Sequence, residues 1–328
     1  MGEYDEMTAI PTVPESPAGG PDLAVKLGPL RLAHPIINAS GTMEIFDIAE
    51  SLGNGVLADP PVAAYVAKTI TVNPRSGNPP PRVLETPAGV INAIGLAGEG
   101  MSSFLDHRLP RLLALPCPVI ISIGGFSVQE YVLLAHSLQC RLAEGGLPKE
   151  SGDWIQKIGV ELNISCPNVH SGCSSIGTDA SETERVVAAV REVWPGLLIA
   201  KLTPNVTSLP TIAHAAVKGG ADALAAVNTF KGLVIDRRTL RPYLGNISGG
   251  LSGPAIKPLA LRCIYELYEA VDVPLIGMGG AVSGEDVLEF LACGASVVAL
   301  GSALFRDPLS GRKVAAEVQT ELHSRGLR

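Results

Sequence analysis

In the stretch Glu161-Leu162-Asn163-Ile164-Ser165-Cys166-Pro167-Asn168 an apolar run ends in a thiol flanked by hydroxyl and amide groups. A thiolate, with a reference pKa of about 8.5, can take a proton from carbon when the carbanion is stabilised or when a hydride leaves with it. Such chemistry needs an electron acceptor, and the second half of the chain has room for one. The segments GGLSGPAIKP (249–258), IGMGG (276–280) and ALGSALF (299–305) offer backbone N–H groups without side-chain crowding, a surface suited to a phosphate-bearing cofactor. Two lysines, Lys68 in YVAKT and Lys201 in LLIAKLT, interrupt apolar runs, where a charge is unfavourable without a partner. Each signal also has an ordinary reading. A lone cysteine is usually an inert buried residue, and loop glycines and asparagines form turns. The order of the motifs favours chemistry more than any one of them.

Eight short apolar runs could position these groups: PIINASG (35–41), YVAKT (65–69), VIISIGG (119–125), GVELNIS (159–165), LLIAKLT (197–203), ALAAVNT (223–229), PLIGMGG (274–280) and VVALGS (297–302). Helical segments alternate with several of them. Ser181 with Glu184 reads as a capping box, Val186, Val190, Val193 and Trp194 form one face, and Pro195-Gly196 ends it. Ser283 with Asp286 starts another helix that ends near Gly294. Eight such units predict an α/β fold, a closed (β/α)8 TIM barrel over residues 21–328 as one domain. The two alternating runs about Gly28-Pro29 predict a hairpin closing one end. The eight runs end in polar or glycine residues, and barrel enzymes build their sites on that C-terminal face. Their phosphate sites lie in the loops after strands seven and eight.

Composition agrees: 46% of residues are apolar and only 4% aromatic, which suits a core of small branched side chains. A net charge of −7 argues against nucleic acid and anionic membrane partners. Six scattered cysteines show no C-x-x-C pair, so no zinc or cluster site is legible, and most are expected to be buried thiols in a reducing cytoplasm. Residues 1–20, with three prolines and no apolar h-region, read as a disordered tail. The longest apolar stretch, Leu112 to Gly125, is broken by Pro116 and Pro118 and is too short for a membrane span.

The segments ELNISCPNV, AKLTPNVT, VNTF and NISGGLSGPAIKP, followed by GMGG and GSALF, resemble the signature of class 1 dihydroorotate dehydrogenases. The resemblance runs from about residue 22 to 308 and includes NASG (38–41) and AKTITVNPRSGNPPPRVLETPAGVINAIGL (67–96). It implies one FMN per chain across the barrel mouth. Ala39, Ser40 and Gly41 would approach the flavin by backbone, Lys68 and Thr69 would sit between flavin and substrate carboxylate, and Lys201 would lie at the N1/C2 oxygen edge. Asn92, Asn163, Asn228 and Thr229 would bond the pyrimidine ring, with Asn163 also near the flavin. Gly249, Gly250, Gly279, Gly280, Gly301 and Ser302 would bind the phosphate and ribityl chain. Cys166, assisted by Lys68, would take a proton from C5 of dihydroorotate while hydride passes from C6 to flavin N5, giving orotate for pyrimidine synthesis.

Cysteine as base sets the chain apart from the membrane-bound class, which uses serine and quinone. The stretch VHSGCSSIGTD (169–179) looks closer to class 1B, which implies a homodimer and a partner subunit carrying FAD and a 2Fe-2S cluster that passes electrons to NAD. A class 1A enzyme using fumarate, or a flavin barrel acting on another pyrimidine, is the alternative. Non-redox phosphate-binding barrels and a non-catalytic binding module are rival readings of the same residues. Three departures from relatives stand out: Ser122, where many place an asparagine; GLAGEG (95–100) in the substrate loop; and the insertion AEGGLPKESGDWIQ (143–156).

Overall fold

The computed structural model describes residues 23–144, 154–165 and 176–326. The segment read as a tail, most of the 143–156 insertion, and Cys166 with the residues up to 175 lie outside the described residues.

All eight apolar runs are strands: β1 (Ile36–Asn38), β2 (Tyr65–Val66), β3 (Val119–Ile123), β4 (Ile158–Asn163), β5 (Leu197–Lys201), β6 (Ala223–Ala226), β7 (Leu275–Met278) and β8 (Val297–Leu300). They pair in parallel in the order β1-β8-β7-β6-β5-β4-β3-β2. The two end strands, β1 and β2, meet at a seam. There the Ala63 N–H donates to the Ile36 carbonyl at 2.9 Å. The Asn38 side chain does the rest: Oδ1 accepts the Val66 N–H at 2.8 Å and Nδ2 donates to the Val66 carbonyl at 2.7 Å. A buried amide thus stands in for a backbone unit and closes the barrel, because its donor and acceptor match those of a peptide.

Successive side chains alternate between helix-facing and barrel-facing sides. Val119, Ile121, Val160, Leu162, Leu198, Leu224 and Val298 pack outward with the helices, whereas Ile37, Val66, Ile120, Ile199, Ala225, Ile276 and Val297 pack inside. The expected hairpin, Val25–Leu27 with Leu30–Leu32, is antiparallel. Its Leu27, Leu30 and Leu32 join the inner cluster, so the hairpin plugs the N-terminal end of the barrel.

The outer helices begin where local chemistry satisfies their free N–H groups. Ser283 and Asp286 form the expected capping box of Gly284–Ala292. The helix Ala180–Arg191 is capped two residues before the expected cap: Asp179 accepts from the Glu182 N–H, and Ser181 lies inside the first turn. Aspartate is an equally good cap, so the Ser-x-x-Glu pattern marked the right helix from the wrong residue.

The structure also contains a four-stranded antiparallel sheet, in the order Phe230–Gly232, Gly249–Ser252, Gly89–Asn92, Val83–Thr86, where the sequence reading had only a substrate loop and a glycine cluster. Four of the cysteines, Cys117, Cys140, Cys263 and Cys293, are free and half-buried, more exposed than the expected buried thiols.

Replacing Asn38 by leucine would leave both polar groups of Val66 unpaired inside the barrel. Stability should fall by about 3 kcal/mol, read as a lower urea midpoint with unchanged slope; an unmoved midpoint would mean that the Ala63–Ile36 bond alone closes the seam.

Candidate active site

At the C-terminal end of the barrel the alternation that fills the interior with aliphatic residues brings polar ones inside. Ser122 lies two residues beyond Ile120, Lys201 two beyond Ile199, and Glu161 and Asn163 share one face of β4. Register then sets them side by side, with Ser122 opposite Glu161 and Asn163 opposite Lys201. Lys201 Nζ stands 3.6 Å from Glu161 Oε1, and the two residues are 5% and 3% exposed. The same carboxylate oxygen accepts the Ser122 hydroxyl at 2.8 Å. A buried charge is tolerated only when paired and hydrogen-bonded, and Glu161 gives Lys201 that partner.

From Ser122 the hydrogen bonds continue across the mouth. Ser122 Oγ is 2.9 Å from Thr69 Oγ1, which also lies 3.0 Å from Ser40 Oγ and 3.0 Å from Asn163 Nδ2. Asn163 Oδ1 accepts from Ser165 at 3.0 Å, Ser165 Oγ accepts from Asn228 Nδ2 at 2.6 Å, and Asn228 Oδ1 accepts the Thr229 N–H at 2.8 Å. The Tyr131 hydroxyl donates to the Asn163 carbonyl at 2.8 Å, tying the end of β4 to the helix Val128–Ala143. Ser165, 1% exposed, is thereby fixed one peptide bond from Cys166.

Several of these side chains form one wall of a cavity of about 890 Å³, within the size range of small-molecule and cofactor sites. Ala39, Ser40, Gly41, Lys68, Thr69, Asn92, Asn163, Lys201, Asn228 and Thr229 line it, together with Gly279, Gly280, Gly301 and Ser302. Lys68 is the exposed residue in a run that is otherwise buried from Pro61 to Ile70, and among the described residues it makes no ion pair. Asn92 reaches toward the Gly250 carbonyl at 3.4 Å.

Two expected residues stand elsewhere. Gly249 and Gly250 are buried in the four-stranded sheet behind Asn92 and Thr229. A Cβ on Gly250 would collide with Thr229 Oγ1 and one on Gly249 with the Asn92 carbonyl, so glycine there allows close packing. The neighbouring Gly253, which the sequence reading did not single out, lines the cavity instead.

The opposite wall is backbone. Among the described residues the N–H groups of Gly280, Gly301 and Ser302 make no hydrogen bond. A Cβ on Gly301 would meet only Ala39 Cβ at 3.9 Å, and one on Gly41 only Lys68 Cγ at 3.9 Å, so a side chain at either position would project into the open cavity. Free N–H groups at strand ends make a cradle for an anion. A planar group can lie against the uncrowded Ala39–Gly41 backbone, with the Lys201 charge at its edge. The residues therefore fit the phosphate-bearing flavin that the motifs imply.

Glu161 was missed as a functional position, and Ser122 was singled out only as a departure from relatives that place a flavin-contacting asparagine there. The signal was present: one acid in the apolar run GVELNIS and one lysine in the next run call for each other. Nothing in the sequence gave the register that pairs them. Among the described residues no group of three or more His, Cys, Asp or Glu could hold a metal, and no helix is long and apolar enough to cross a membrane.

Removing one member of the buried pair leaves the other uncompensated. Glu161→Leu or Lys201→Met alone should destabilise the fold by about 3–5 kcal/mol, with the double replacement recovering most of that loss. Thermal or denaturant unfolding of the three variants checks this, and additive single effects would show that the two charges do not interact.

Comparison with known proteins matches the chain to a family. The profile described as dihydroorotate dehydrogenase matches residues 22–322. A protein of Desulforudis audaxviator named dihydroorotate dehydrogenase B (NAD(+)), catalytic subunit, is 44% identical over 309 residues, covering 93% of this chain and 94% of that protein. A Geotalea uraniireducens protein of the same name is 41% identical over 309 residues, covering 94% and 96%. One from Geobacter sulfurreducens, again of that name, is 40% identical over 308 residues, covering 94% and 95%. The chain belongs to the dihydroorotate dehydrogenase family.

Proposed function

We propose that this protein oxidises dihydroorotate to orotate with FMN as its bound acceptor, and that it is the catalytic subunit of an NAD-dependent enzyme. The observation that carries the reading is the two-sided cavity. One wall is built of amides, hydroxyls and two lysines, and the other is backbone N–H groups at the ends of β7 and β8 that have no partner among the described residues.

The residues divide the work by their chemistry. Asn163, Asn228 and Thr229, held by the network around Ser165, bond the C=O and N–H groups of the pyrimidine ring. Asn92 approaches from the antiparallel sheet. Lys68, exposed and without an ion pair among the described residues, binds the substrate carboxylate. Ser302 and the glycines 279, 280 and 301, to which Gly253 is added, hold the phosphate and ribityl groups; Gly249 and Gly250 back the wall. Ala39, Ser40, Gly41 and Thr69 support the ring, and Lys201 places a fixed positive charge at its edge. Bound there, FMN supplies the two-electron acceptor for the hydride that leaves C6.

Cys166 is the base that takes the C5 proton. Ser165, the residue directly before it in the sequence, is held by the amide network. Three of the described thiols are poorly suited to the role. Burial pushes Cys117 up to about 11, and burial with a nearby carboxylate raises Cys263 and Cys293, so at neutral pH they hold their protons.

The reading extends to a homodimer in the cytoplasm and to a partner subunit whose FAD and 2Fe-2S cluster relay electrons to NAD. The relatives named as catalytic subunits support the partner.

The first test is the visible spectrum of the purified protein before and after dihydroorotate is added without oxygen. A flavin band that bleaches is expected. A flavin that stays oxidised overturns the substrate, and a protein that takes up no FMN overturns the reading altogether. Reoxidation by NAD only in the presence of a co-purified partner is expected; direct reoxidation by fumarate would place the chain in class 1A. Cys166→Ala should keep FMN bound and lower turnover by at least about a hundredfold, the scale of general-base catalysis, whereas undiminished turnover would remove Cys166 from that role.

A further inference from the structure

The hydrogen bonds between Asn228 and Glu161 run in one direction. A carboxylate can only accept, and a serine hydroxyl has one proton. The 2.8 Å contact to Glu161 Oε1 therefore uses the proton of Ser122. Thr69, 2.9 Å away, must donate its own proton to Ser122 Oγ. Thr69 Oγ1 is then left as an acceptor, which fits its contacts at 3.0 Å with Asn163 Nδ2 and at 3.0 Å with Ser40 Oγ. With Nδ2 turned to Thr69, Asn163 shows Oδ1 to Ser165, whose proton fills that 3.0 Å contact. Ser165 accepts in turn from Asn228 Nδ2 at 2.6 Å. Each donor is polarised toward the same buried anion, and bonds in such a chain strengthen one another.

We propose that Ser122 and Glu161 are positioning residues that set, through Thr69 and Ser165, which donor and which acceptor Asn163 and Asn228 turn to the ligand. Both stand behind the cavity wall, 0% and 3% exposed, and neither lines the cavity. Isolated amides can rotate by half a turn and exchange oxygen for nitrogen. Here the ionised Glu161, held beside Lys201 at 3.6 Å, makes one orientation the satisfied one. Each asparagine keeps one N–H and one lone pair for the cavity, in a fixed order. That order selects a flat ring whose edge presents C=O and N–H groups in the complementary order. The choice of orotate as the ligand rests on the proposed function; the direction of the chain does not.

Neutron diffraction from the perdeuterated, FMN-loaded protein reads the chain directly. A deuteron on Ser122 Oγ facing Glu161 and one on Thr69 Oγ1 facing Ser122 are expected; a Thr69 deuteron facing Asn163, or a deuterated Glu161, overturns the proposal. Orotate titration then reads the consequence. Ser122→Ala should weaken orotate by about tenfold or more with FMN content unchanged, and Ser122→Thr, which keeps the hydroxyl, should restore it to within about threefold. Equal affinity in Ser122→Ala and the parent protein also overturns the proposal. A parent protein that binds no orotate yet shows the deuterons so ordered would remove the dihydroorotate reading and leave the positioning role standing.

Discussion

A charge inside a closed parallel barrel has no water to turn to, and the upper interior of this protein is organised around that constraint. Lys201 is admitted because Glu161 lies on the adjacent strand, and Glu161 is held because Ser122 donates to it from the other side. Once the carboxylate is in place, each hydroxyl and amide reaching toward it has one satisfied orientation. The ion pair thus does more than allow a lysine indoors. It gives direction to a layer of small polar side chains that would otherwise have several equivalent arrangements.

The rest of the barrel frees that layer to be polar. Below it, Ile37, Val66, Ile120, Ile199 and Ile276 fill the interior and the hairpin leucines plug the far end, so stability rests on apolar burial away from the mouth. The two walls of the mouth are made by different means. Side chains at the ends of β2, β4, β5 and β6 form one, where precise donor and acceptor placement matters. Backbone at the ends of β7 and β8 forms the other, where an anion needs only N–H groups and room. The antiparallel sheet adds a third face, with Gly249 and Gly250 allowing Asn92 and Thr229 to come close.

Much of this was legible along the chain. All eight strands, the hairpin and the Ser283 cap carry local signals: apolar runs, a Gly-Pro turn and a Ser-x-x-Asp pattern. The cavity lining was legible through motif order. The antiparallel sheet was not, because its strands are short and rich in glycine, and neither alternation nor propensity marks such segments. Gly249 and Gly250 were assigned to the phosphate for the same reason. A glycine that lets a ligand approach and one that lets a neighbouring strand approach look alike in sequence.

By itself the sequence determined the eightfold alternation, the face on which polar groups gather, and chemical kinds present there: two lysines, paired amides and glycine backbone. Those follow from hydrophobic period and residue type, which are local. Tertiary structure decided which of them meet. Glu161 and Lys201 are 40 positions apart, and Asn38 reaches Val66 across the seam. Strand register decides such pairings. Register is fixed only when the closed barrel satisfies its buried polar groups together, a condition on the whole sheet that no single segment carries.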